Sequence, residues 1–205
     1  MHLTRALTSR RIPVARKGTI YLARPLSHAH QSISVVAAVR DILHLGQTAK
    51  EIKSMIHQKK LKINGRVVRD YREPLHLFNI LEAGKKYRLS ILPSGRFFFE
   101  ETKESTRIAK VIGKKILKGK ITQINLHDGT NLLSKENPKI GDSLELDMSN
   151  KLLKVIPLEK GRKVFIESGR SIGQTGNVQS LEKSDVQVKL KDRTVTLQGR
   201  HLIAL

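Results

Sequence analysis

Val164-Phe-Ile-Glu-Ser-Gly-Arg-Ser-Ile-Gly-Gln-Thr-Gly-Asn-Val178 is the stretch that decides how the C-terminal part of the chain is built. Val164, Phe165 and Ile166 read as a strand, and glycines at 169, 173 and 176 follow at close spacing. Glycine enters left-handed backbone at no steric cost, so this spacing predicts tight turns between two strands of a small barrel. A dinucleotide-binding loop also spaces its glycines, but it opens a helix and has an acid about 20 residues further on. Here Val186–Leu190 and Thr194–Leu197 alternate like further strands. A Rossmann unit is therefore excluded, residues 159–205 read as a barrel, and Arg170 at the loop tip is a candidate phosphate contact.

Upstream, residues 105–158 read as a second β domain. Arg107, Lys110, Lys114, Lys115, Lys118 and Lys120 follow one another with no acid between them, interleaved with Ile108, Val111, Ile112, Ile116, Leu117 and Ile121. The expectation is a basic ribbon whose apolar residues pack and whose lysines point outward. His127-Asp128-Gly129 reads as a hairpin turn into Asn131–Leu133, and Ser143–Leu146 and Leu152–Ile156 as further strands.

Residues 33–104 carry the helical signals. Val35, Val36, Val39, Ile42 and Leu43 recur at helical spacing from Ile33 on, with Gly46 placed to end the helix. Thr48-Ala-Lys-Glu51 is a capping box that opens a second helix. Ala49, Ile52, Met55 and Ile56 fall on one side of it, and Lys50, Lys53, His57 and Lys60 within an arc of roughly 80° on another. Leu61-Lys-Ile63 then alternates as a strand, and Asn64-Gly65 predicts a type I′ turn into Arg66-Val-Val68. Lys62 and Arg66 of this hairpin join the candidate anion-binding set. Leu77–Leu81, Tyr87–Leu92 and Arg96–Phe99 read as strands, with Phe97, Phe98 and Phe99 assigned to packing rather than base stacking.

The first 32 residues contain no acid; the first one in the chain is Asp41. Arg5, Arg10, Arg11, Arg16, Lys17 and Arg24 stand among Pro13, Gly18 and Pro25, with no steady apolar period. The prolines argue against an amphipathic transit helix, and the segment reads as a basic arm that orders against phosphates. His28-x-His30 is the only close-set imidazole pair. With no third ligand nearby, both are assigned to RNA rather than to a metal.

Over 205 residues, 39 Lys and Arg face 18 Asp and Glu, a formal charge of +21. A charge of that size implies a polyanionic partner. Cysteine is absent, which removes disulfides, thiolate nucleophiles and Cys-built zinc sites. The longest apolar run, Val35–Val39, is 5 residues, too short to span a membrane. Aromatics make up 4% with no Trp, which disfavours both an interfacial helix and base-stacking platforms and favours folded RNA read by phosphate and 2′-hydroxyl contacts. Neither paired carboxylates nor a phosphate-binding loop stand out, so the expectation is a protein that is not an enzyme, with no cofactor, no metal and no small-molecule substrate.

The glycine-spaced loop at 169–176 resembles the KOW motif of ribosomal proteins and transcription elongation factors, and residues 33–68 resemble a small helix–helix–hairpin RNA-binding module. Taken in order, the parts resemble ribosomal protein S4e, a small-subunit family of archaea and eukaryotes, in its archaeal form. His2-Leu-Thr-Arg5, Arg16-Lys-Gly18, Arg24-Pro25, Val39-Arg-Asp-Ile-Leu43, Thr48-Ala-Lys-Glu51, Lys62-Ile-Asn-Gly65 with Val67 and Arg69-Asp-Tyr71, Gly95-Arg96, His127-Asp-Gly129 and Gly141-Asp-Ser143 carry the resemblance. It departs at Ser27-His-Ala-His30, at the bulky Phe97–Phe99, and in the basic tail that members usually carry after the barrel, where this sequence stops at Leu205.

The resemblance implies an α+β, multi-domain protein. Its parts are a basic N-terminal arm (1–32), the helix–helix–hairpin module with flanking strands (33–104), a central basic β domain (105–158) and a C-terminal SH3-like KOW barrel (159–205). It implies a cytoplasmic, structural role in the small ribosomal subunit, with ribosomal RNA and neighbouring ribosomal proteins as partners and no homo-oligomer. Two other readings compete. An RNA-modifying enzyme would need a catalytic domain well over 100 residues, which the short basic strands leave no room for. A KOW-type elongation factor would not need the arm.

Overall fold

The computed structural model describes residues 3–117, 121–182 and 185–205. Lys118, Lys120 and the His2 of the opening motif lie outside the described residues. Strands dominate a mixed α/β architecture with few helices, and the chain divides into two compact units, residues 1–104 and 105–205. Among the described residues no helix is long and apolar enough to cross a membrane.

In the first unit, β1 (Leu3–Thr4) pairs with β2 (Tyr21–Leu22), and β3 (Ile33–Ser34) precedes a short helix, α1 (Val35–Ala37). The helix expected from Ile33 begins later because Ile33 and Ser34 are used in a ladder with β6 (Pro74–Leu75). Ser34 caps α1 by accepting from the Ala37 amide at 3.4 Å. The chain then widens into a π-turn over Ala38–Ile42, where the Leu43 amide reaches back five residues to the Ala38 carbonyl. Left-handed backbone ends this turn at His44 (φ +53°), not at the expected Gly46.

The capping box forms as read. Thr48 Oγ1 accepts from the Glu51 amide at 3.2 Å, and the Glu51 carboxylate accepts from the Gln47 amide (2.9 Å) and the Thr48 hydroxyl (2.8 Å). The Gln47 amide first and the Thr48 hydroxyl second hold that carboxyl below its usual range. α2 (Ala49–His57) buries Ile52 and Ile56 and leads into β4 (Leu61–Ile63). Asn64 (φ +50°) and Gly65 (φ +78°) make the turn into β5 (Arg66–Val67).

Beyond β6, β7 (Ile80–Ala83), β8 (Lys85–Ile91) and β9 (Phe97–Glu101) complete an antiparallel sheet of order β5-β4-β7-β8-β9. The strand expected from Leu77 starts only at Ile80, because Phe78 (φ +62°) turns the backbone left-handed. Phe97 is buried and Phe98 and Phe99 half-buried, consistent with packing.

The arm, residues 1–32, was expected to order only against RNA. In the structure the arm is tied down by main-chain bonds, Phe97 donating to the Arg11 carbonyl (2.7 Å) and Leu26 to that of Arg72 (3.0 Å), with Ile12 buried. Backbone bonds to the sheet edge substitute for the side-chain period that the sequence lacks.

The second unit holds two five-stranded antiparallel sheets. One, of order β12-β11-β10-β13-β14, contains β10 (Thr106–Ile116), β11 (Thr122–Leu126), β12 (Asn131–Ser134), β13 (Ser143–Asp147) and β14 (Leu152–Ile156). Its core is Ala109, Val111, Ile124, Leu126, Leu144 and Leu146. The other, of order β18-β17-β16-β15-β19, contains β15 (Lys163–Ile166), β16 (Thr175–Glu182), β17 (Asp185–Lys189), β18 (Thr194–Gln198) and, after a 3₁₀ turn at Gly199–His201, β19 (Leu202–Ala204). Val164, Ile166, Val178, Val186, Val188, Leu190 and Leu202 fill it.

The expected alternation in the basic ribbon fails. Arg107 and Lys110 are buried, while Ile112, Ile116 and Ile121 are exposed. Arg107 shares its parity with the core residues Ala109 and Val111, Lys110 on the other face is covered by the turn before β19, and past the bulge between Val111 and Gly113 no residue of β10 is buried.

The glycine loop also differs in part from its reading. Gly169 (φ +98°) and Gly173 (φ +75°) take left-handed backbone, but Gly176 lies extended in β16. What requires glycine there is space, since a Cβ would lie 2.6 Å from both the Lys189 carbonyl oxygen and Val188 Cγ1. Gly176→Ala is expected to cost about 1–3 kcal/mol by prising β16 from β17. Gly169→Ala, with nothing within 4 Å, is expected to cost only the left-handed penalty of about 1 kcal/mol. Denaturation midpoints of the two variants check the difference.

Candidate nucleic-acid interface

Capping and packing together aim α2. Ile52 and Ile56 hold one side in the core, so Lys50, Lys53 and His57 stand exposed on another; Lys60, expected on the same helical arc, lies beyond the end of α2 at His57 and is exposed there. The chain reverses at Lys59 (φ +56°) and puts exposed Lys62 on β4, between buried Leu61 and Ile63. The structure thus brings Lys50, Lys53, His57, Lys60 and Lys62 onto adjoining elements of one unit. Arg66, at the start of β5, is exposed but occupied: its Nη2 donates to Glu73 Oε2 at 2.7 Å.

Two contributors to this surface were not read from the sequence. Tyr71 lies under the Lys53 ammonium at 4.6 Å from the ring centroid and faces the Arg72 guanidinium at 5.6 Å. Such contacts are worth about 0.5–1 kcal/mol at exposed sites, enough to bias where the Lys53 charge sits. Buried Glu73 accepts from the Arg69 and Asp70 amides through Oε1 (2.8 and 3.3 Å) and from Arg66 through Oε2, so it orients the Arg66 fork. No local signal marks either residue, since Tyr71 is 18 positions from Lys53 and Glu73 is 7 from Arg66.

In the arm, Arg10, Arg16 and Lys17 are exposed, and Arg11 and Arg24 half-buried. Arg5 serves the arm itself: Nε donates to the Thr19 carbonyl (2.7 Å), Nη2 to Thr19 Oγ1 (3.1 Å) and Nη1 to the Ala15 carbonyl. Exposed His28 and His30 stay at the surface, with the His28 ring edge-on to His76 at 5.3 Å between centroids.

In the second unit, Lys115 is exposed on β10 and Lys114 donates to Asn137 Oδ1 at 2.8 Å. Arg170 is exposed at the tip of the glycine loop. That loop is anchored by the Ser168–His201 hydrogen bond, by Arg193 donating to Ser171 Oγ (3.0 Å) and by the Gly173 amide donating to the Ile166 carbonyl (2.9 Å).

Lys110 is the correction within the candidate set. It is buried, and its ammonium donates to the Gly199 (2.9 Å) and Arg200 (2.7 Å) carbonyls, latching β10 to the turn before β19. Burial lowers its pKa to about 8, against a smaller upward pull from Glu167. A cation so occupied is not on an RNA-facing surface.

Arg107 is the other internal cation. Its Nη1 pairs with Asp128 Oδ2 and its Nη2 donates to Asn150 Oδ1 at 2.7 Å, both ionic side chains being 1% exposed. Burial pushes the Asp128 carboxyl up. Arg107, with His127 and Thr130, outweighs this and holds it below the usual range.

Comparison with known proteins fits this basic, strand-rich architecture. Residues 83–153 match the model of the ribosomal family S4e. The small ribosomal subunit protein eS4 of Methanocella arvoryzae is 30% identical over 189 residues, spanning 88% of this chain and 81% of its own. The protein of that name from Staphylothermus marinus is 28% identical over 98% of this chain and 86% of its own. In fold, the crystal structure of the 30S ribosomal protein S4e from Thermoplasma acidophilum superposes with a TM-score of 0.73 at 23% identity, over 85% of this chain and 95% of the other. A relative 30% identical and matched over 88% of this chain and 81% of its own places the chain in the ribosomal family S4e, whose model matches residues 83–153.

Proposed function

We propose that the protein is a structural constituent of the small ribosomal subunit, bound to folded ribosomal RNA mainly by phosphate and shape contacts and located there in the cytoplasm among neighbouring ribosomal proteins. The observation that carries this reading is the division of α2 into a core-facing side, Ile52 and Ile56, and an exposed side of Lys50, Lys53 and His57, with exposed Lys60 and Lys62 following directly in the chain. Such a surface neutralises phosphates and releases counterions, which makes binding strongly salt-dependent.

On this reading residues 33–68 act as the helix–helix–hairpin RNA module. Residues 159–205 act as an SH3-like KOW barrel, supported by the β18-β17-β16-β15-β19 order and the 3₁₀ turn ahead of β19. Arg10, Arg16 and Lys17 of the arm, Lys115 of β10 and Arg170 supply further phosphate contacts.

Sedimentation of a cell lysate tests the proposal. The protein is expected with the small ribosomal subunit at moderate salt and to be released as salt rises; migration as a free protein, or with polymerase, overturns it. The triple variant Lys50→Glu, Lys53→Glu, Lys60→Glu is expected to lose that association while keeping the wild-type circular dichroism and melting temperature. In binding to purified subunits, the slope of log affinity against log salt is expected to fall by about 2–3, one phosphate contact accounting for roughly 0.7–0.9. Unchanged association removes α2 from the RNA-facing surface.

A further inference from the structure

A cleft of about 570 Å³ opens in the first unit between the arm and the loop after the π-turn, lined by Arg5, Thr19, Arg40, Asp41, His44 and Gln47. We propose that this cleft holds one unpaired nucleotide of RNA, the base inserted and its phosphate at the rim. The inference rests on the RNA-binding reading and adds a site of its own to it.

Shape decides against a duplex. An RNA helix is convex and far wider than the cleft, whereas the volume falls in the roughly 300–1,000 Å³ range of clefts that enclose a small molecule. Charge decides against a bare anion. Arg5 and Arg40 bring two positive charges, but the Asp41 carboxylate stands among them and accepts Arg40 Nε and Nη2 at 2.8 and 3.0 Å. A carboxylate repels a phosphate placed directly against it and accepts from a base amino or imino group instead.

The remaining lining suits a base. His44 offers a flat ring, and the exposed Gln47 amide both donates and accepts. The site is also built in advance. Arg5 is fixed by Thr19 and Ala15, and Arg40 by Asp41. A guanidinium carries five donors, so each fork keeps donors beyond those spent. His44 is held in left-handed backbone (φ +53°), a conformation that in a non-glycine residue tends to mark functional sites. The two guanidinium groups therefore have little freedom left to lose on binding.

The test uses the full chain, labelled with ¹⁵N and titrated in separate experiments with AMP, GMP, CMP, UMP and inorganic phosphate. The expected result is saturable movement of the His44 and Gln47 amide resonances with at least one nucleotide, at a concentration about tenfold or more below that needed with phosphate. Gln47→Ala is expected to weaken this binding about three- to tenfold, the loss of one or two hydrogen bonds, with an unchanged melting temperature. Equal response to inorganic phosphate, or shifts spread evenly over Lys53, Lys60 and Lys115, overturns the inference. Co-sedimentation with the small subunit is scored separately. Co-sedimentation without nucleotide binding removes the cleft alone. Nucleotide binding without co-sedimentation keeps the cleft and removes the ribosomal reading.

Discussion

Asp128→Ala is expected to destabilise the second unit by about 3–5 kcal/mol, because it leaves the Arg107 guanidinium in the interior without a counter-ion. The pair is 1% exposed on both sides, so water cannot take the place of the lost carboxylate. The same guanidinium reaches Asn150 in the β13–β14 turn and Thr130 beside the β11–β12 turn, so the loss spreads to two hairpins. Arg107→Met is expected to cost a similar amount by burying the Asp128 carboxylate alone. Combined with Asp128→Leu, it is expected to recover much of the loss, since an apolar pair leaves no charge to desolvate. Urea midpoints of the wild type, Arg107→Met, Asp128→Leu and the double variant measure the cycle, with Asp128→Ala measured beside them. Single variants losing under about 1 kcal/mol, the range of a surface pair, would mean that water reaches the guanidinium.

Lys110 is expected to make the second unit more stable at high pH. In the folded protein its pKa is lowered to about 8, against 10.5 for the ordinary group. Below pH 8 the ammonium is charged in both states, and folding bears the full cost of burying it. Between about 8 and 10.5 the unfolded chain binds more protons than the folded one, so stability rises with pH. The rise is at most about 3 kcal/mol, at 1.36 kcal/mol per pKa unit. Other lysines and tyrosines titrate nearby, so the informative quantity is the difference from Lys110→Met. Wild-type minus variant stability is expected to grow across that window and to stay level below it. A level difference throughout would mean that the ammonium is solvated and the latch to Gly199 and Arg200 is loose.

Features whose cause is local were legible in the sequence. Thr48 and Glu51 are three residues apart and need only each other. Asn64-Gly65 needs only the turn it makes, and the apolar side of α2 follows from the helical period. Features whose cause is distant were not. Arg107 and Lys110 read as outward charges from the unbroken basic run, but period two puts them on opposite faces: Arg107 turns inward with Ala109 and Val111, and Lys110, on the other face, is covered by the Gly199–Arg200 turn, a partner some 90 residues away. Gly176 read as a turn residue because its neighbours at 169 and 173 are; its requirement comes from Lys189 across the sheet. His44 takes the left-handed backbone at the end of the π-turn although Gly46 is the better left-handed residue, and the bond from the Leu45 amide to the Val39 carbonyl closes the chain over it. Within the basic surface, the positions of the lysines on α2 followed from periodicity, while Tyr71 and Glu73, which fix Lys53 and Arg66, follow from tertiary contact alone.

Because the chain divides at 104, every strand pairing of the first unit closes among residues made early in synthesis, while β15 waits for β19 at the very end. At about 5–20 residues per second, the first sheet has its full set of strands some 5–20 s before the last one does. The first unit, with the row on α2, thus has every strand it needs to fold while the second unit is still being made, so the two halves can fold in sequence rather than together.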